Sequence, residues 1–234
     1  SGLNLDRIGQ RYSHAGISLR DSSNAPWSVR QLYFDCDAAR PKLFDEGLAG
    51  FLLGSHNPSL SYVSMVLLPE PQAGALADAA IDNRRALGLL GADYSANAYA
   101  YSEAFQNCNQ WVMEMLASAW APLQPGAARR DAQSWLQAQG YEPTVIAPGG
   151  RWMIDLAQFI PWIHNRDHPA SDLEQARYRI SMPVAIERFV QQRLPGAQRL
   201  EFCHNTTQIV VRRGWEPLAE GCVAEPGDRV LSLD

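Results

Sequence analysis

Lysine is nearly absent from this sequence. Lys42 is its only lysine, and the formal net charge at pH 7 is −5. Because no long run of basic residues is present, the chain lacks the cationic face that releases counterions from nucleic acid, and we expect no nucleic-acid partner. Apolar runs are short as well: YVSMVLL at 62–68 is typical, whereas crossing a bilayer takes roughly 20 residues. The sequence therefore predicts no transmembrane segment.

Familiar cofactor and metal signatures are also absent. The chain contains no glycine-rich phosphate-binding motif, no G-x-S-x-G and no CxxC pair, which removes the usual nucleotide, serine-hydrolase and zinc-knuckle patterns. His164, Asp167 and His168 have the spacing of metal ligands on a helix, but Pro169 and the polar neighbours favour a solvated turn. The sequence therefore predicts neither a cofactor nor a bound metal.

The four cysteines carry information about the cellular compartment. Cys203 lies between two β-rich runs, and Cys222 follows the second run. A disulfide between them would tie the C-terminal β-segment together and favours an oxidising compartment, although two buried thiols in a cytosolic fold fit the same spacing. Because the chain begins SGLNLDR without Met, we expect either a removed leader or a cloning remnant, and the prediction is a periplasmic or secreted protein.

Patterning along the 234 residues predicts an α+β protein. Strands are expected at 11–20, 27–34 and 61–69 and in a hairpin at 199–215, and helices at 71–91, from Asn107 or Cys108 to 121, at 129–140, at 151–162 and at 182–193. Ser181, before Met182 and Pro183, has the pattern of an N-cap. The predicted organisation is a core at 8–125 and a helical and β-hairpin extension at 126–234 that packs on it or continues the same domain.

Cys108 is a candidate nucleophile in the stretch FQNCNQWVMEML at 105–116. Thiol chemistry needs a thiolate, a base that takes its proton and a polar group that orients the base. A helix start favours the thiolate, and its unpaired N–H groups can hold an oxyanion. A cysteine at a helix start is, from position alone, more often structural than catalytic, and a redox pair with Cys36 is a further alternative.

The candidate base is His14, the one histidine inside a predicted strand. Alternation places Tyr12, His14 and Gly16 on one face of that strand. A glycine two residues beyond the histidine leaves room for a substrate or for a neighbouring backbone. A hydrogen-bonded structural role for His14 is the simpler alternative.

The segments SHAGISLR and NCNQWVMEML, about ninety residues apart, together resemble the circularly permuted papain-like group of the NlpC-type cell-wall peptidase superfamily, which includes lecithin:retinol acyltransferase-like and YiiX-like proteins. In that group a strand supplies the histidine first and a helix start supplies the cysteine later. The resemblance covers about residues 8–122 and implies a permuted papain-like core of antiparallel strands packed on a nucleophile-bearing helix. More narrowly, the whole chain, including VVRRGWEPLAEGC, resembles the bacterial family of exported proteins called domain of unknown function 2145.

The resemblance implies a role for each matching residue. Cys108 becomes the nucleophile and His14 the general base. Gln31, on the strand after His14, is the residue that best fits the orienting position, although many relatives carry His, Asn, Asp or Glu there; Asp35 fits if the register differs. Asn107 and one of Tyr94, Tyr99 and Tyr101, with Tyr101 first, are expected to support the oxyanion.

The expected activity is that of a cysteine peptidase or amidase-like hydrolase, or an acyl-transfer enzyme, acting on an amide or ester bond. A cell-wall peptide or peptidoglycan fragment is the first expected substrate, and a lipid or other acyl ester is the second. The alternative is a non-catalytic binding protein on the same fold, in which Gln31 marks a site that has lost activity.

Overall fold

The chain folds as an α+β protein in which helices pack on antiparallel sheets. The structure is a computed structural model and describes residues 5, 8–53, 57, 59–123, 128–157 and 159–233. The helices described are α1 Leu48–Leu53, α2 Gln72–Ile81, α3 Asn83–Gly88, α4 Cys108–Trp120, α5 Arg129–Ala138, α6 Arg151–Ala157, α7 Ala170–Glu174 and α8 Pro183–Arg193. The strands are β1 Ile17–Leu19, β2 Ser28–Asp35, β3 Arg40–Glu46, β4 Ser61–Leu67, β5 Thr144–Ile146, β6 Tyr178–Ile180, β7 Gln198–His204, β8 Gln208–Arg213 and β9 Arg229–Ser232.

Helix α4 lies at the centre of the molecule. Its first ten residues are all buried, and it packs against α2, α5 and α8 and against strand β2. Trp111 is fully buried and donates its ring N–H to the carbonyl of Ala86 at 3.3 Å, which satisfies the polar atom of this large core side chain. A helix enclosed in this way holds its N-terminal residue in a rigid frame.

The two predicted halves of the chain share one sheet. The sheets have the orders β1-β2-β3, β4-β7-β8-β9 and β5-β6. Strand β4 from the first half pairs with β7 from the second, so that Tyr62 lies opposite Cys203. The C-terminal half therefore completes the core. The predicted boundary between 125 and 126 lies outside the described residues.

Disulfide bonding occurs at the end of this second sheet. Cys203 on β7 is joined to Cys222 in a short 3-10 helix, Glu220–Cys222, with 5.6 Å between the two Cα atoms. The structure thus contains the pairing that the spacing favoured. Within the described part of the chain, no helix is both long and apolar enough to cross a bilayer.

Two predicted elements are shorter than expected. The strand expected at 11–20 is restricted to Ile17–Leu19, because only these residues pair with β2. The single helix expected at 71–91 is two helices separated at Asp82, whose extended backbone (φ −66°, ψ 100°) lets its carboxylate accept the N–H of Arg84 at 2.9 Å. Because the Asp82 side chain caps the start of α3, a new helix begins here, although the apolar periodicity of the sequence continues across Asp82.

The C-terminal predictions need two further corrections. Helix α6 is Arg151–Ala157, shorter than the predicted 151–162. Pro161 disfavours helical backbone at Ile160, the residue before it, so a helix through 162 is not favoured. Ser181 does not cap α8: the N-cap is Met182, and the Ser181 hydroxyl instead accepts a hydrogen bond from the buried Tyr141 hydroxyl at 3.0 Å. A buried phenol hydroxyl needs a hydrogen-bond partner, so Ser181 bonds Tyr141 and does not cap α8.

Candidate active site

The N-terminus of α4 is capped by Asn107. Its backbone is extended (φ −106°, ψ 172°), and its side-chain oxygen accepts the N–H of Gln110 at 2.8 Å. This bond satisfies one of the free amides of the first turn. The Asn107 side chain is therefore engaged in capping, and Cys108 is the first residue of the helix.

Cys108 is a buried thiol surrounded by backbone donors. Its residue surface is only 7% exposed, and burial raises the pKa of the thiol to about 12, although hydrogen bonds from the backbone N–H groups of Asn109, Ala15 and Cys108 itself act in the opposite direction. Removal from water penalises the thiolate more than these donors favour it. The thiol is therefore neutral in the resting protein.

The segment that carries His14 crosses the start of α4. The side-chain amide of Asn109 donates to the carbonyl of Ser13 at 3.1 Å, and the backbone N–H of Ala15 lowers the pKa of the Cys108 thiol. His14 lies between Ser13 and Ala15, in an irregular stretch just before β1 rather than inside a strand. The bond from Asn109 holds the segment that carries His14 against the first turn of α4, where Cys108 lies.

Gly16 allows this segment to approach β2 closely. A Cβ atom built on Gly16 would lie 2.5 Å from Val29 Cγ1 and 3.2 Å from the Arg30 carbonyl oxygen. Any larger residue would push the segment away from the strand. The sequence left two possibilities for the space beside Gly16, a substrate or a neighbouring backbone. In the structure, the neighbouring strand β2 occupies it.

His14 contacts Gln31 directly. Its ring Nε2 lies 2.8 Å from Gln31 Oε1, and Gln31 is completely buried on β2. Burial lowers the pKa of His14 to about 4, although the hydrogen bond to Gln31 raises it. The imidazole is therefore neutral at pH 7, as a general base must be before it accepts a proton.

Glu46 lies behind Gln31 and was not singled out from the sequence. The Gln31 amide nitrogen donates to Glu46 Oε2 at 2.8 Å. Glu46 ends strand β3, which the sequence patterns did not predict. Asp35, the alternative orienting residue, is occupied elsewhere: its carboxylate accepts the N–H groups of Asp37 and Ala38, both at 3.1 Å.

Tyr33 and Tyr94 are the tyrosines of this cluster. The Tyr33 ring stacks on the half-buried His14 ring with 4.4 Å between centroids and is itself 42% exposed. Burial raises the pKa of Tyr94, and the nearby Cys108 raises it further. The Tyr101 hydroxyl has a different partner, because it donates to the Tyr141 carbonyl. Tyr94 is therefore better placed than Tyr101 to support chemistry at the thiol.

The residues considered as a possible metal site have hydrogen-bond partners within the protein. His168 Nε2 lies 2.7 Å from the Asn97 carbonyl oxygen, and an Asp167 carboxylate oxygen accepts the Tyr99 N–H at 2.8 Å. Among the described residues, no group of three or more His, Cys, Asp and Glu side chains is arranged to hold a metal ion. Cys36 is an exposed free thiol and is not bridged to Cys108.

These features define an α+β protein with a disulfide at the end of its second sheet and with a buried thiol and a half-buried imidazole on neighbouring segments. Residues 1–190 match the family model described as "Uncharacterized protein conserved in bacteria (DUF2145)", and the chain belongs to that family. The narrower of the two resemblances is thereby confirmed. No curated protein and no solved structure matched the chain.

Proposed function

We propose that this protein is a thiol hydrolase or acyl-transfer enzyme in which Cys108 is the nucleophile and His14 the general base. The observation that carries the proposal is the crossing of the 13–15 segment over the start of α4. The Asn109 side-chain amide donates to the Ser13 carbonyl at 3.1 Å, next to Cys108 in the first turn of α4. His14, adjacent to Ser13, is oriented by Gln31 at 2.8 Å. Nucleophile, base and orienting group are the three components that nucleophilic thiol catalysis requires.

The first chemical step transfers the thiol proton to the imidazole. Because thiol and imidazole are both neutral at rest, the S–H bond breaks as the sulfur attacks the substrate carbonyl carbon, and the proton moves to His14. The new C–S bond forms a tetrahedral oxyanion, which the backbone N–H groups at the start of α4 and the Tyr94 hydroxyl stabilise. Collapse expels the amine or alcohol, which takes the proton from His14.

The second step releases the acyl group. A water molecule gives a proton to His14 and attacks the thioester carbonyl, the C–S bond breaks, and the proton returns to the sulfur. An alcohol or amine in place of water would complete an acyl transfer by the same route. This sequence needs no metal or redox cofactor.

The substrate we propose is an amide of a cell-wall peptide. Two arguments support it: the motif resemblance to the permuted papain-like cell-wall peptidases, and the Cys203–Cys222 disulfide, which favours a periplasmic or secreted location. A lipid or other acyl ester is the second substrate class, since permuted relatives include acyltransferases.

One observation favours a non-catalytic binding protein as the second candidate function. The Cys108 residue is only 7% exposed, and burial raises the pKa of its thiol to about 12. A protein that had lost activity would retain a thiol of this kind as a small core residue. The two candidates differ in whether Cys108 can be acylated with help from His14.

Acylation by p-nitrophenyl acetate tests this directly. The protein would carry Cys36→Ser, since Cys36 is an exposed free thiol. We expect a burst of one nitrophenol per chain, acetylation of Cys108 by mass spectrometry and a rate that is flat between about pH 5 and pH 8, because the base is a neutral imidazole. His14→Ala should lower the rate at pH 7 about 100-fold and make it rise with pH.

His168→Ala is the matched control, because His168 is a buried histidine whose ring nitrogen bonds the Asn97 carbonyl. This variant should retain the burst. Absence of a burst in the parent protein, together with no effect of His14→Ala, would establish the binding-protein alternative.

A further inference from the structure

We infer that Glu46 is a positioning residue that sets the tautomer of His14 through the side-chain amide of Gln31. The inference rests on the proposed function for its catalytic meaning, but the tautomer itself can be measured without any reaction. It assigns a role to a carboxylate that does not touch the thiol.

The chain of hydrogen bonds allows one assignment. A carboxylate only accepts hydrogen bonds, so the group of Gln31 that lies 2.8 Å from Glu46 Oε2 must be its NH₂. The Gln31 oxygen then faces His14, and it can only accept. His14 Nε2, 2.8 Å away, must therefore carry the proton. Nδ1 is left with a free lone pair, and in the proposed function it is the atom that takes the Cys108 proton.

Among the described residues, the side chain of Gln31 bonds only His14 and Glu46, so without Glu46 its amide would be free to turn over. The Gln31 NH₂ group would then donate to His14 Nε2, the ring proton would move to Nδ1, and the base would be lost. An amide is symmetric in shape and differs only in which end donates, so a neighbouring group has to choose its orientation. This explains how a glutamine can serve where a charged or imidazole group is usual.

The fold places Glu46 for this task. In the β2–β3 pairing, Gln31 lies opposite Phe44 and Val29 lies opposite Glu46, so these side chains share the sheet face that His14 covers. Arg30 and Asp45 project from the opposite face and form their own ion pair at 2.6 Å. The Arg30 guanidinium is thus held away from Glu46.

Helix α1 closes the site on the other side of the carboxylate. A Cβ atom built on Gly50 would lie 2.6 Å from Glu46 Oε1 and 2.9 Å from Glu46 Cγ. Glu46 can therefore adopt its observed position only because residue 50 has no side chain. The titratable groups in contact with His14 are Tyr33 from β2, whose ring stacks on it, and, through Gln31, Glu46 from β3; Cys108 from α4 acts on the neighbouring Tyr33.

The test combines ¹⁵N NMR of the histidine rings with the acylation assay in the Cys36→Ser background. In the parent protein, we expect His14 as the Nε2–H tautomer. In Glu46→Ala, the Nδ1–H tautomer should appear, and the acylation rate at pH 7 should fall about tenfold. Asp35→Ala is the matched control: it removes another β2–β3 carboxylate, one that bonds its own turn, and it should change neither measurement.

Gly50→Ala provides a second route that leaves the carboxylate in place. Alanine favours helix more than glycine does, so α1 should persist, while the new methyl group displaces Glu46. A shift in tautomer and rate in the same direction as Glu46→Ala is expected. If His14 stays purely Nε2–H in both variants, the inference is wrong, even where the burst of the parent protein upholds the proposed function. If the parent protein shows no burst but the His14 tautomer still depends on Glu46, the positioning role of Glu46 holds and only the proposed catalytic function is wrong.

Discussion

Two polar clusters contact helix α4, and they differ in whether their polar groups are compensated by an opposite charge. In the middle of α4, Glu114 is fully buried, and its two oxygens accept from Arg129 Nε at 2.8 Å, Gln133 at 2.7 Å and Gln106 at 2.6 Å. At its start, Cys108 and His14 are held neutral by burial. The first cluster compensates a charge and is chemically inert. The second holds the proposed nucleophile and the proposed base in their neutral forms, without the charge compensation that Glu114 receives.

The largest expected effect is on the free energy of unfolding, and it distinguishes the Glu114 cluster from the Cys108 cluster. Glu114→Ala leaves the buried Arg129 guanidinium without its carboxylate and should lower the free energy of unfolding by about 3–5 kcal/mol. Cys108→Ala removes one small apolar group and should cost about 1 kcal/mol. Urea unfolding measures both values. Equal costs would mean that the thiol, too, is a structural element.

The disulfide extends this comparison to a part of the molecule away from α4. Removing it with Cys203→Ala and Cys222→Ala releases a cross-link between residues 19 apart, which should cost about 3 kcal/mol. Because the bridge lies in the second sheet, the acylation rate of Cys108 at 25 °C should not change. A large loss of Cys108 reactivity in the folded double variant would show that the two sheets are coupled.

Acidification should lower the free energy of unfolding through His14. Burial lowers the pKa of His14 from 6.5 to about 4, so between these values the unfolded chain binds a proton that the folded protein does not. The stabilising contribution is fully present above pH 6.5 and is lost as the pH falls towards 4, by up to about 3 kcal/mol. In His14→Phe the free energy of unfolding should depend less on pH across this window. His168, whose pKa burial also lowers, is present in both proteins and cancels.

The smallest expected effect concerns the exposed ring over His14. Tyr33→Ala removes the stacking partner of the imidazole and should cost about 0.5–1.5 kcal/mol. Tyr33→Phe retains the ring and should be close to neutral. Thermal unfolding of the two variants at pH 7 measures the difference. A large cost for Tyr33→Phe would assign the stabilisation to the hydroxyl instead of the ring.

The elements predicted correctly from sequence are those with local causes. Helix α4 spans Cys108–Trp120 because Asn107 caps its start and Pro122 follows its end. Strand β4 and helix α5 follow from periodicity and from turn residues in the same way. The break at Asp82 also has a local cause, but the apolar periodicity continues across it, so the pattern favoured one long helix.

The candidate site was predictable in part. The NCN stretch indicated Cys108, and strand alternation placed Gln31 and Tyr33 on the same face, as their contacts with His14 require. The choice between Tyr94 and Tyr101 was not predictable, because both lie in one irregular connector whose path depends on distant contacts such as that between Tyr101 and Tyr141.

The sequence by itself determined that this is an α+β chain with a thiol at a helix start and a glycine beside the histidine, because caps, periodicity and side-chain size act over a few residues. Only the tertiary structure decided that Glu46 stands behind Gln31, since this contact depends on the register between β2 and β3 and on the absence of a side chain at Gly50. Register and close approach are set by packing across the whole sheet.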